Sequence, residues 1–191
     1  IKNKLSRKYN KINITETVSG EGIILTNNKA KGILIKGINE KDKLQSFLNK
    51  EITNGSLNDF SAGKVMIGGE LAYNLNLKIG DKINIVSSSF VDTPFGSIPK
   101  QDSFMIAGLF NSGFYEFDQN LIYLELSDSV SIFDRDEGNV DLEIFLEDPF
   151  LAEKYKKEIE SLYQNIFIST WSDSNKSFFN ALKVERNVMF T

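Results

Sequence analysis

Apolar and polar positions alternate over several short stretches of the chain and take helical spacing in only a few. Residues 12–18 place Ile12 and Ile14 between polar neighbours, a period of two that predicts a strand. Gly20-Glu21-Gly22 predicts an interruption, followed by a second strand at Ile23-Ile24-Leu25 and a turn at 26–28. Further strands are predicted at 32–38, 64–67 and 82–86, the last with Ile83 and Ile85 on one face. The apolar runs 104–110 and 121–126 predict more deeply buried strands, because an all-apolar run has no solvent face. Residues 140–146 put Val140, Leu142, Ile144 and Leu146 on one face, with Asp141 and Glu143 opposite. Strand 166–169 completes the set.

Helices are predicted at 2–9, 40–48, 69–77 (with Leu71, Ala72 and Leu75 on one side) and 127–133. The strongest local signal follows Asp148-Pro149, where an N-capping carboxylate and a first-turn proline open a helix. Its expected buried stripe is Leu151, Tyr155, Ile159 and Leu162, with Glu153 and Lys157 paired on the surface. A closing helix from about residue 174 carries Phe178, Leu182 and Met189. Turns are expected at 53–56, Gly80-Asp81 and 135–138. Together these elements predict a short-strand α+β fold closing on helix, strand and helix, without internal repeats.

Composition narrows the chemistry. The chain has 191 residues, 41% hydrophobic and 25% charged, enough to bury a core of its own. Its net charge is −4, and its one dense basic stretch, 2–11, is offset elsewhere, so a nucleic-acid surface is not expected. That stretch reads as a solvated helix face in preference to a lipid-headgroup contact. With neither Cys nor His, the chain has no disulfide, no thiolate metal site and no Ser-His-Asp arrangement. No window reaches the ~20 apolar residues that span a bilayer, and no basic-apolar signal peptide opens the chain. The Ile1 start and the Val188-Met189-Phe190-Thr191 end suggest a piece of a longer protein.

The unusual segment is Asp92-Thr93-Pro94-Phe95-Gly96-Ser97-Ile98-Pro99-Lys100-Gln101, which holds two of the chain's three prolines. Between two strands it predicts a protruding hairpin, stiffened where each proline fixes φ and removes an N–H. Phe95 and Ile98 then stand as anchors for a partner, or Phe95 folds back onto its own core; the residues alone favour neither.

The run Gly69-Glu70-Leu71-Ala72, then Leu77-Lys78-Ile79-Gly80-Asp81-Lys82-Ile83, then the Pro-Phe-Gly-Ser-Ile-Pro loop, resembles the periplasmic domain of LolC/LolE-family lipoprotein-releasing ABC transporter permeases. Ile106-Ala107-Gly108-Leu109-Phe110 and Val184-Glu185-Arg186-Asn187-Val188-Met189 agree in order and spacing. The resemblance implies a MacB-like α+β domain of two intertwined subdomains. One is Porter-like, at 1–20 and 138–185, and the other is a Sabre-like insertion at 21–137 that carries a hook hairpin at 91–101. Residues 186–191 would begin a stalk into a transmembrane helix. It further implies that Pro94, Phe95, Gly96, Ser97, Ile98 and Pro99 form a hook for the periplasmic lipoprotein carrier LolA. A polar pad would lie at Asn84, Gln101 and Asp102, although arginines are expected where Asn84 and Asp102 stand. The LolE branch lacks a hook, so the chain is LolC-like, or LolF-like if one permease does both jobs. The implied partners are the LolD ATPase subunit, a second permease copy or LolE-type partner, and the lipoprotein substrate. The implied location is the periplasmic side of a Gram-negative inner membrane. No catalytic residue, cofactor or metal is implied.

Other clusters carry less. Asp134, Asp136 and Glu137 offer oxygen donors suited to Ca²⁺, or form a solvated acidic turn. Asp141 and Glu143 share a strand face in the manner of paired carboxylates, which alternation alone explains. No Gly-Lys-Ser/Thr follows Gly68-Gly69, so ATP hydrolysis belongs to another subunit. Trp171 is expected as a partly buried anchor. The alternatives are a MacB- or FtsX-type permease domain that docks an adaptor or hydrolase, and a small carboxylate-based hydrolase.

Overall fold

In the computed structural model, residues 1–9, 12–26, 29–39, 51–136, 138–163 and 165–176 are described. The elements in chain order are α1 (Lys2–Lys8), β1 (Ile12–Leu25), β2 (Ala30–Ile38), β3 (Ile52–Gly55), β4 (Lys64–Gly68), α2 (Gly69–Leu75), β5 (Lys82–Thr93), β6 (Gly96–Phe110), α3 (Tyr115–Asp118), β7 (Leu121–Glu125), α4 (Leu126–Ile132), β8 (Asp141–Leu146), α5 (Ala152–Leu162) and α6 (Trp171–Ser174). The chain divides into two compact units, 14–143 and 1–13 with 144–191. The fold is α+β, as expected.

In the larger unit the strands run in the order β2-β7-β4-β6-β5-β1, and a ladder between β1 and β2 closes that path on itself. The β2–β7 and β4–β6 pairs are parallel, and the remaining ladders of the ring are antiparallel. Val18, Ile24, Ile35, Val65, Ile67, Ile83, Ile85, Phe104, Ile106, Ile122 and Leu124 fill one core with Leu71 and Leu75 of α2. The opposite faces of β4 and β7 are also covered: Met66, Leu121 and Tyr123 pack with Ile38, Leu57, Phe60 and Phe110. Burial on both faces is why these strands read as unbroken apolar runs.

Three local readings change. Gly20 and Gly22 do not interrupt the chain, and β1 runs straight through them. Each marks a close approach: a Cβ on Gly20 would sit 2.5 Å from the Phe133 ring, and one on Gly22 2.7 Å from Ile35. Residues 53–55 are not a turn but part of β3, which pairs with β6. Gly55 there takes φ 88°, and its bare Cα faces the Ala107 carbonyl, where a Cβ would be 2.5 Å away. Helix α2 stops at Leu75 because Asn76 adopts a left-handed cap, φ 55°.

The smaller unit holds α1, whose Leu5 is buried while Lys4, Arg7 and Lys8 face solvent. Asp148 Oδ1 accepts the Phe150 N–H at 2.9 Å, so the expected cap forms, opening a 3-10 turn that leads into α5. The expected buried stripe on α5 is narrower than its spacing suggests. Ile159 is buried, but Leu151 and Leu162 are exposed and Tyr155 is partly covered, edge-on to Tyr9 at 5.2 Å. Glu153 does not reach for Lys157; its Oε1 accepts from the Thr170 and Ser172 hydroxyls, each at 2.9 Å. Residues 166–169 form no strand, and Phe167 stands 93% exposed. Thr170 instead makes a capping box with Asp173 at the start of α6. Trp171 is half exposed. The expected helix at 40–48, the closing helix with Phe178, Leu182 and Met189, and the stalk at 186–191 lie outside the described residues, as does Glu137.

Candidate functional site

β5 and β6 leave the ring as a two-stranded ribbon. Core pairing ends at Val86↔Gln101, and pairing resumes at Phe90↔Pro99, Val91↔Ile98, Asp92↔Ser97 and Thr93↔Gly96. Three residues (Ser87, Ser88, Ser89) therefore oppose Lys100 alone, an extended bulge at the root of the ribbon. Such a bulge normally loosens a ladder, but this one is pinned. The buried Ser87 Oγ donates to the Ile132 carbonyl at 2.7 Å, and Ser89 Oγ donates to the Phe133 carbonyl at 2.8 Å. Lys100 Nζ meets Asp134 Oδ1 at 2.7 Å. The end of α4 is thereby strapped to both strands of the ribbon.

At the tip, Pro94 and Phe95 form the turn. Pro94 holds φ at about −65°, so the positive φ that lets a turn match strand twist must come from elsewhere. Gly96 supplies it at φ 121°. The Thr93 hydroxyl donates to the Gly96 carbonyl at 2.7 Å and accepts the Phe95 N–H at 3.3 Å, fastening the turn from inside. Ser97 Oγ hydrogen-bonds across the ribbon to Asp92 Oδ1.

Phe95 does not fold back: its side chain is fully exposed, at 101%. Ile98, Phe90 and Val91 are exposed as well. By strand parity Val91 and Ile98 share one face of the ribbon, and Phe90 and Pro99 share the other. An apolar tip is thus carried on a ribbon that is apolar on both faces, away from the core.

The three pad positions do not converge. Asn84 pairs with Ser103 and shares a face with Gln101, whereas Asp102 pairs with Ile85 on the opposite face. Asp102 Oδ1 accepts from the Ser103 N–H at 2.7 Å. Beside the ribbon root, an open cleft of about 510 Å³ is lined by Glu21, Ile23, Leu34, Val86, Ser88 and Asn120 among others. The remaining acidic pairs are occupied by cations: Asp134 by Lys100, Asp141 by Arg135 at 3.1 Å and Glu143 by Lys36 at 2.7 Å. Among the described residues no group of three or more His, Cys, Asp or Glu is arranged to hold a metal ion. Near α3, burial, then the Asp118 charge, pushes the Glu51 carboxyl upward. Burial likewise raises Asp128, against the Gly63 N–H that it accepts at 2.7 Å.

Sequence reasoning missed the root. Ser87, Ser89 and Asp134 hold the ribbon in place, and the signal for them was the serine triplet, which breaks the alternation of β5 just before Phe90.

No protein-family profile matches the chain. Curated relatives do. The lipoprotein-releasing system transmembrane protein LolC of Neisseria meningitidis serogroup B is 26% identical over 179 residues, 91% of this chain and 43% of that protein. LolC of Xylella fastidiosa (strain 9a5c) is 28% identical over 161 residues, 82% of this chain and 38% of its own length. Over most of its length this chain is similar to LolC. It spans about two fifths of the LolC proteins it matches, 43% and 38% in these two cases. Its fold resembles the extracellular domain of the noncanonic ABC-type transporter YknZ from Gram-positive bacteria, with a TM-score of 0.54 and 16% identity over 84% of this chain and 78% of that one. That likeness concerns the fold alone. No helix among the described residues is long and apolar enough to cross a membrane.

Proposed function

We propose that the chain is the periplasmic domain of the membrane subunit of a lipoprotein-releasing ABC transporter in a Gram-negative inner membrane. Its β5–β6 ribbon docks the soluble LolA-type carrier that receives the departing lipoprotein. The observation that carries this reading is the pinned ribbon with a fully exposed Phe95 at its tip. An exposed aromatic on a preformed scaffold loses little freedom on binding and is suited to be a binding hot spot. Pro94, Gly96, Ser97, Ile98 and Pro99 shape and flank that anchor; Asn84 and Gln101 form a weaker polar contact on one face, with Asp102 apart from them. The domain itself is non-catalytic. ATP hydrolysis falls to a LolD-type subunit, and motion reaches this domain through the full-length permease, paired with a second copy or a LolE-type partner. The units 14–143 and 1–13 with 144–191 correspond in this reading to the Sabre-like and Porter-like subdomains.

The test is direct binding of purified domain and carrier by calorimetry. Phe95→Glu buries a charge where an aromatic ring docks and should weaken binding by about 2 kcal/mol or more, roughly 30-fold. Pro94→Gly should weaken it less, by loosening the turn. Unchanged affinity in both variants refutes the hook assignment.

A further inference from the structure

The two long edges of the ribbon are not equivalent. Pro99 has no N–H, yet the ladder runs through the Phe90↔Pro99 pair, so Pro99 must occupy a position whose nitrogen points away from β5. Antiparallel pairs alternate between those that exchange hydrogen bonds and those whose polar groups face outward. The inward pairs are then Val91↔Ile98 and Thr93↔Gly96, and the outward pairs are Phe90↔Pro99 and Asp92↔Ser97. The Ser97–Asp92 side-chain bond agrees, because side chains stand closest in the non-exchanging pairs.

Beyond the root, the β5 edge offers the N–H and C=O groups of both Phe90 and Asp92. The β6 edge has lost the donor at Pro99. Among the described residues β1 pairs with β5 only from Asn84 to Ser87, and β4 reaches β6 only from Met105 onward, so both ribbon edges are free. Proline is a common guard against strand addition, and here it guards one edge only.

We propose that the carrier adds an extended strand of its own to the β5 edge at Phe90–Asp92, so that main-chain hydrogen bonds supplement the Phe95 anchor. The added strand carries an apolar side chain beside Phe90, which is 59% exposed, and a hydrogen-bond donor or basic side chain beside Asp92. A second copy of this chain fits the edge less well: it would bring two Asp92 carboxylates onto one short ribbon in a chain of net charge −4. The inference rests on the reading of the ribbon as the carrier-docking element.

Two measurements test it. In hydrogen exchange of the domain with and without purified carrier, the amides of Phe90 and Asp92 should slow on binding while Ser97 does not. In calorimetry, Phe90→Ala removes the ring, and Phe90→Pro removes the ring together with the outward N–H; proline should bind roughly 5- to 10-fold more weakly than alanine. Protection confined to Ser97, or to neither edge, overturns strand addition, as does equal binding of the alanine and proline variants in domains of native circular dichroism. Protection of Phe90 and Asp92 by self-association without carrier overturns the carrier as occupant. If Phe95→Glu binds normally, the hook reading fails; if Phe95→Glu abolishes binding and Phe90 and Asp92 exchange freely in the complex, only strand addition fails.

Discussion

Replacing Ser87 with alanine should release the ribbon from the end of α4. Ser87 is 5% exposed, and its Oγ donates to the Ile132 carbonyl at 2.7 Å while accepting the Ser89 N–H at 3.2 Å. Alanine leaves that carbonyl without its hydroxyl donor in a place water reaches poorly; the Ser89 N–H lies nearer the surface and can be hydrated. An unsatisfied buried acceptor costs ~1–3 kcal/mol, and the accessible amide adds little, so a loss of about 2 kcal/mol is expected. For a domain of ~150–250 residues each kcal/mol moves Tm by about 2–4 °C, which places the shift at about 4–8 °C. Thermal unfolding followed by circular dichroism measures it, with Ser88→Ala as control. Ser88 is the exposed neighbour in the same bulge, and its loss should stay within about 0.5 kcal/mol. Hydrogen exchange at Val91 and Thr93 should quicken in Ser87→Ala. Equal stability and equal exchange in the two variants would refute the view that the bulge is a fastened joint.

Gly96→Ala should weaken the ribbon tip through backbone conformation alone. A Cβ there meets nothing within 4 Å, but φ 121° is a region that L side chains rarely adopt. A loss of about 1 kcal/mol or more is expected, read as faster exchange at Val91 and Thr93 with carrier affinity reduced in parallel. In the smaller unit, the Lys156 ammonium, then the Thr170 N–H, holds the Asp173 carboxyl well below the usual carboxylate range. A depressed folded pKa stabilises the fold above the unfolded value of ~3.9 and stops doing so as pH falls through the folded value. Urea unfolding should therefore show Asp173→Asn less stable than wild type at pH 6, with the gap narrowing below about pH 4. A gap independent of pH would contradict that assignment.

The ring strands were legible because their apolar faces are determined by short-range pattern. Ile83 and Ile85 alternate, and 121–124 is apolar throughout because both faces of β7 are covered. The hairpin was legible because two prolines and a glycine restrict the backbone locally. What escaped was decided by distant neighbours. Gly20 and Gly22 look like breakers until the Phe133 ring and the Ile35 side chain are seen beside them. Residues 166–169 have strand composition, but Thr170 captures Asp173 and Glu153 and turns the chain into α6. Likewise, Glu153 pairs at helical spacing with Lys157 on paper, while two hydroxyls from the α6 start take its carboxylate. Gln101 and Asp102 of the pad are adjacent in sequence, but neighbouring strand residues point to opposite faces, so Asp102 parts from Gln101.

β5 and β6 also have a mechanical consequence. The strands that carry Phe95 are the same strands whose other ends bury Ile83, Ile85, Phe104 and Ile106. At ~3.3 Å per residue, β6 from Lys100 to the tip is a lever of roughly 17 Å. The fastened root is its fulcrum. A load applied at Phe95 would be resisted at the Ser87 and Ser89 hydroxyls and passed along the backbone into the ring, so a small rotation of the ring would sweep the tip through a larger arc.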